Sequence, residues 1–426
     1  MTRSKSVPPS VSESNSARRH QLKFKREWAS SGLYALSAIV WSLVAILLVH
    51  RGKSAPPLDF QGYRDAANNM LRGGATYREH FTLMHLNFTY PPLALLLLSA
   101  LTVLPTLVVL AIWWLLSSVA LVLFVVLALE SVTGLTRSIA VPAALILSGA
   151  ALLLLEPVRS SMDFGQINFF LMLAILVDLT RVRSSAKGVL TGLAAAVKLT
   201  PLIYIAYFVV SRSRLSTLRA VGAFVGATAV AWLVLPSDSA LFWFHQAFIP
   251  GHKGRVRGTA NQSWLGLVDR FSSTLGYMTI IVWLVLSAAT FLLGYCLAKR
   301  YIASARPIES VLALALTELL VSPISWAHHW SWIILLPVLL FARRRQSLSV
   351  SAAMLLLLAV AIAAPYRWFH YRWYDHGLLA ILPGYSLFFA GVLLLITMAG
   401  SEWRRAGRER SDDRLDHILI SKVPDG

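Results

Sequence analysis

Long stretches without a single charge decide what this chain can fold into. Residues 107–129, 278–297 and 378–398 contain no Asp, Glu, Lys or Arg. A helix needs roughly 20 such residues to cross about 30 Å of hydrocarbon. Lipid offers no partner to a backbone N–H or C=O, so a segment that crosses it must satisfy both internally, which makes these runs helices. Composition agrees: 57% of the 426 residues are hydrophobic and 14% are charged, against about 25% charged in a soluble domain. The sequence predicts an all-α integral membrane protein.

The net charge of +19 would suggest nucleic acid in a soluble protein. No recognition module is visible here, and nucleic acid is not an expected partner. Lys and Arg fall instead in short links and at both ends, as the positive-inside bias requires, with membrane lipids as the natural neighbours. We expect a disordered basic tail at 1–31, a transmembrane domain at 32–400 and a second basic tail at 401–426, with both termini cytoplasmic. Spans are expected near 32–50, 106–129, 139–155, 166–180, 217–235, 276–298, 307–321, 330–342, 347–364 and 378–400. Residues 188–211 lie between two basic links, so they must cross an even number of times; the break at Lys198-Leu199-Thr200-Pro201 then divides two half-length helices with Lys198 at the tip. The count is about 12 crossings, with two long external loops at about 51–90 and 236–275. The crossing status of 91–104 stays open.

This topology gathers most polar clusters on the external side: Asp59 with Tyr63, Arg64 and Asp65; Tyr90; Arg159 to Asn168; Lys198; Asn261, Gln262 and Trp264; Trp326, His328 and His329. Ionisable groups at membrane depth are costly and mark substrate paths. Each also has a plainer reading. Asp59 is a loop carboxylate or a functional one. Tyr90-Pro91-Pro92 is a sound helix start. Asp163 pairs with Arg159 four residues earlier or does chemistry, and Gln166 and Asn168 serve as interhelical hydrogen-bonding glue or as ligand contacts. Lys198 needs an anion, either a phosphate or a buried carboxylate such as Glu318. His328 and His329 suit proton transfer or phosphate donation; adjacent histidines do not share a helix face and make a poor metal pair. No carboxylate cluster calls for a metal, and no cofactor is expected.

Taken in order, Phe88-Thr89-Tyr90-Pro91-Pro92, Arg159-Ser-Ser-Met-Asp163-Phe-Gly-Gln166-Ile-Asn168, Val197-Lys198-Leu-Thr-Pro201, Asn261-Gln262-Ser-Trp264 and Ser322-Pro-Ile-Ser-Trp326-Ala-His328-His329-Trp330 resemble glycosyltransferase family 87, the actinobacterial polyprenyl-phosphate-mannose-dependent α-1,2-mannosyltransferases. The resemblance runs from about residue 55 to 335. It implies the multi-spanning type C glycosyltransferase (GT-C) fold in the plasma membrane, with an active site on the external face. It also implies a polyprenyl-phosphate-mannose donor and a lipid-anchored mannoside acceptor, with phosphatidylinositol mannoside elongation the nearest activity. A catalytic Asp in the first external loop falls on Asp59, whose spacing to Tyr63 is kept although the flanking residues differ. A functional histidine falls on His328 or His329. Lys198, Arg159 and Tyr90 become candidates for the donor phosphate and lipid. Asp163, Gln166, Asn168, Asn261, Gln262, Trp264 and Trp326 become candidates for substrate contacts. Two other activities fit the same features: a lipomannan-branching α-1,2-mannosyltransferase, and, in another class, a transporter or flippase of lipid-linked sugars. Transporters often carry paired inverted repeats, and only one interrupted hairpin is visible here.

Overall fold

A computed structural model describes residues 11–52, 56–82, 86–247, 258–342, 346–369 and 378–420. It is built almost wholly of helices. The first, α1 (Val11–Gly52), leads to α2 (Leu58–Leu71), a short antiparallel hairpin of β1 (His80–Phe81) and β2 (Leu86–Asn87), and the short α3 (Pro92–Leu98). Two long helices, α4 (Thr106–Thr133) and α5 (Arg137–Leu154), are followed by the bent pair α6 (Glu156–Asp163) and α7 (Asn168–Thr180). Next come α8 (Val189–Val197), α9 (Ile205–Val210), α10 (Arg214–Val234) and α11 (Pro236–Leu241). The remainder comprises α12 (Trp264–Asp269), α13 (Ser272–Leu275), α14 (Met278–Ala303), α15 (Pro307–Val321), α16 (Leu335–Phe341), α17 (Leu348–Ala363), α18 (Ile381–Gly384) and α19 (Ser386–Ile420).

Among the described residues, 7 helices are long and apolar enough to cross a membrane, or up to 8 if the bent pair counts as one span. The first runs from Ser31 to Arg51, close to the expected 32–50. The stretch expected as an N-terminal tail is helical from Val11, and the one expected after residue 400 is helical to Ile420. In both, the long hydrophobic helix next door already supplies the nucleus, so each added residue gains a backbone hydrogen bond at little cost. Residues 92–102 form a single short helical piece. Its C-terminal carbonyls are capped by Arg64, which donates to Leu101 O (2.8 Å) and Leu104 O (3.0 Å). That is a structural task for an arginine that looked functional in sequence.

The centre of the molecule is α15, in which nearly every residue from Ile308 to Leu320 is buried. A helix apolar all round belongs in a core, not on an amphipathic surface. At its foot the buried Arg306 bonds Glu309 (3.0 Å) and Glu402 (2.5 Å), so α15 and α19 share one guanidinium.

Two breaks matter for function. Between α6 and α7 the axis turns by 115°; the sequence reading places a span at 166–180 and leaves residues 156–165 outside any span. Gly165 makes the turn at φ +69°, and a Cβ there would lie 2.7 Å from Phe60 Cβ. Only glycine meets both demands. The second break follows α8, where Lys198 is extended (φ −147°, ψ 132°). Pro201 has no N–H to offer Val197 O and its ring would crowd that carbonyl, so α8 stops where Lys198 begins.

One buried acid escaped notice in the sequence. Asp178 is fully buried and accepts hydrogen bonds from Gly188 N (2.8 Å), Thr191 N (2.8 Å) and Thr191 Oγ1 (2.7 Å). It closes the basic link ahead of α8 and supplies the cap that helix otherwise lacks. Replacing Asp178 with Ala strands these donors and is expected to cost about 2–4 kcal/mol. Asp178→Asn keeps one acceptor and loses less. Thermal unfolding of the purified protein in detergent measures the order.

Candidate active site

Helix α2 begins at Leu58, straight after Pro57, with no side-chain cap. Its leading amides turn elsewhere: Asp59 N and Phe60 N both donate to Phe164 O, each at 3.1 Å. The carbonyl is exposed for this because Gly165 has turned the chain. The Asp59 side chain, partly buried, is thereby delivered to the break between α6 and α7.

A continuous polar network starts there. Gln166 Nε2 donates to Asp59 Oδ2. Gln166 Oε1 lies 3.0 Å from the Tyr90 hydroxyl and 3.2 Å from that of Tyr63, and the two hydroxyls are 2.8 Å apart. Two protons serve three contacts, and the shorter two make a chain from Tyr63 to Tyr90 to Gln166. The amide is thus oriented with its nitrogen toward the carboxylate. On the other side of the Tyr90 ring lies Lys198, its Nζ 5.4 Å from the ring centroid. Lys198 donates to Asn168 Oδ1 (2.9 Å), and Asn168 Nδ2 donates to Ser161 Oγ and to His328 O (3.1 Å each). The His328 ring packs on Phe164 at 5.2 Å and meets His329 edge-on at 4.7 Å. Its Nε2 is buried without a hydrogen-bond partner, whereas the His329 ring is bonded to the Ile324 backbone.

The site therefore brings together Asp59, Tyr90, Gln166, Asn168, Lys198, His328 and His329 from segments far apart in the chain. Lys198 feels both Glu318 and Asp59 as negative neighbours. Glu318 in turn accepts from the Tyr204 hydroxyl at 3.1 Å. The lysine thus has carboxylates on two sides. Burial pushes the Asp59 carboxyl up to about 6, against the opposing pull of the Gln166 hydrogen bond and the Lys198 charge. Tyr63 is a member that sequence reasoning did not single out as a site residue. It sits four positions after Asp59 on one helix face, which is the signal that was available.

The other candidates lie elsewhere. Asp163 forms an ion pair with Arg51, at the end of α1, and not with Arg159. Arg159 donates to Leu153 O (3.2 Å) and sits in the field of Asp163 and Glu156. Glu156 is bonded to the Tyr366 hydroxyl. Asn261, Gln262 and Trp264 hold the fold together. Asn261 receives Ser325 N (2.8 Å) and donates to Pro323 O (3.0 Å). Gln262 donates to Gly384 O (2.8 Å) and receives Phe388 N (3.1 Å). Trp264 Nε1 donates to Thr290 Oγ1 (2.9 Å). Trp326 pairs with Asn261 in an isolated antiparallel bridge, which fixes the entry to the two histidines. Among the described residues, no group of three or more His, Cys, Asp or Glu side chains is arranged to hold a metal ion.

Residues 88–323 match the model of glycosyltransferase family 87. A Mycobacterium tuberculosis protein described as a polyprenol-phosphate-mannose-dependent alpha-(1-2)-phosphatidylinositol mannoside mannosyltransferase is 30% identical over 80% of this chain and 81% of its own length. A Mycolicibacterium smegmatis protein of the same description is 29% identical over 79% and 81%. A second Mycolicibacterium smegmatis protein, described as acting on phosphatidylinositol pentamannoside, is 32% identical over 58% of this chain and 60% of its own length. No solved structure matches. The chain belongs to glycosyltransferase family 87.

Proposed function

We propose that this family 87 chain transfers mannose from a polyprenyl phosphate to the 2-hydroxyl of a mannose on a phosphatidylinositol-anchored glycan. The observation that carries the reading is the single network joining a carboxylate, Asp59, to a cation, Lys198, through Gln166, Tyr90 and Asn168. A β-linked donor giving an α product requires inversion and so a single displacement. The acceptor O2 attacks mannose C1, its proton passes to Asp59, and the C1–O bond to phosphate breaks with the electron pair leaving on polyprenyl phosphate. The leaving group gains negative charge, which Lys198 offsets. His328, with its open Nε2, is the better placed of the two histidines to donate to that phosphate. Asp59 acts as base with its orientation held by Gln166. Transfer without a metal, the type C architecture with about 12 crossings, and a site facing away from the cytoplasm are part of the same proposal; the 7 or 8 long apolar helices among the described residues support a multi-spanning architecture, and the basic links support the orientation.

The test is transfer in detergent from synthetic polyprenyl-phosphate mannose to a phosphatidylinositol mannoside, with the new linkage read by mass spectrometry and methylation. The pH profile adds a check. A base raised to about 6 is protonated and idle below that value, so kcat/KM is expected to fall tenfold per unit below about 6 and to level off above it. A flat profile from pH 5 to 8 excludes Asp59 as the base.

A further inference from the structure

A second polar group lies beside the active site without taking part in it. One end of α1, the end of α5 and α6 line a narrow surface trough, half open to its surroundings. Its walls are apolar, formed by Val44, Leu48 and Leu152 among others, and its mouth carries Arg51, Arg159 and Asp163. Few residues of the Ser31–Arg51 part of α1 are buried, so this helix stands at the edge of the molecule, where an apolar span meets lipid. Arg51 is 39% and Asp163 30% exposed, so the ion pair they form lies accessible beside the trough, with Arg159 one helical turn before Asp163. The pairing of types is specific. Guanidinium groups recognise phosphate by parallel N–H donors, and a carboxylate beside them accepts from hydroxyls, not from phosphate. An apolar trough beside two guanidinium groups and a carboxylate matches a lipid chain, a phosphodiester and a polyhydroxy headgroup. The trough also adjoins the site. Asp163 precedes Phe164, whose carbonyl receives the Asp59 and Phe60 amides and whose ring touches His328.

We infer that the α1–α5 trough with Arg51, Arg159 and Asp163 binds the phosphodiester and one acyl chain of a phospholipid bearing a polyhydroxy headgroup, and so anchors the acceptor. This rests on the transferase reading for its role, though not for the binding itself. Arg159 then serves the acceptor's phosphate and Lys198 the donor's.

Two measurements test it on the full-length protein. Native mass spectrometry in detergent compares retention of phosphatidylinositol and phosphatidylcholine. Wild type is expected to retain phosphatidylinositol preferentially. Arg159→Gln should lower that retention at least tenfold, and so should Leu48→Trp, which fills the trough without touching the Arg51–Asp163 pair. Equal retention by wild type and a folded Leu48→Trp variant overturns the proposal whether or not the protein transfers mannose. In the transfer assay, Arg159→Gln should raise KM for the phospholipid-anchored acceptor at least tenfold more than KM for the donor. A larger rise in donor KM would assign the trough to the polyprenyl chain and overturn the proposal. Absence of transfer by wild type counts against the function proposed above and leaves the retention result to decide this one.

Discussion

Replacing Asp59 with Asn lowers kcat by about a thousandfold or more, the loss expected when a positioned base is removed, while the protein stays folded. Retention of the fold follows from the local bonding. What seats the residue is its backbone: its amide and that of Phe60 are held by Phe164 O. The asparagine carbonyl can still accept from Gln166 Nε2, as Asp59 Oδ2 does. What disappears is the basic oxygen pair alone. The measurement is turnover at saturating donor and acceptor, alongside the thermal midpoint and the elution profile in detergent. A variant that turns over within tenfold of wild type removes Asp59 from the chemistry.

The second large effect belongs to Lys198. Lys198→Met keeps most of the side-chain volume and removes the charge. Donor phosphate is anionic before reaction and more so as the sugar departs, so donor KM should rise and kcat should fall, with kcat/KM for the donor down about 100- to 1000-fold. Acceptor KM should change far less. The pH profile gives a separate reading. The Lys198 charge holds the Asp59 carboxyl down against burial; without it the carboxyl rises further, and the activity limb near 6 moves to higher pH. Unchanged donor kinetics and an unmoved limb together exclude the lysine as the phosphate clamp.

How much of this was legible beforehand depended on the range of the interaction. Continuous apolar runs specify helices by themselves, so α4, α10 and α14 lie close to where hydropathy puts them. Lys198 at a helix break was readable because Pro201 acts on Val197, within one turn. The bend at Gly165 was not: the glycine is required by Phe60, which is remote in sequence, and nothing nearby announces it. The same limit explains Asp163. Helical spacing offers Arg159 as its partner, while the fold supplies Arg51 from α1. Asn261 and Gln262 show a different ambiguity. A polar residue in a motif looks alike whether it faces a ligand or a buried carbonyl, and here both side chains are wholly buried with bonds to the backbone of other segments. Glu318 could be named as a neighbour of Lys198, but its bond to Tyr204 depends on how α15 packs.

The docking of α2 on the Phe164 carbonyl carries a lesson about where this protein can vary. The Asp59 carboxylate is registered from across the molecule, by the far chain, through the Phe164 carbonyl. Changes of length ahead of Pro57 should therefore be absorbed, whereas a single residue added between Asp163 and Gln166 would swing the anchoring oxygen aside and leave an intact scaffold with the Asp59 carboxylate out of place.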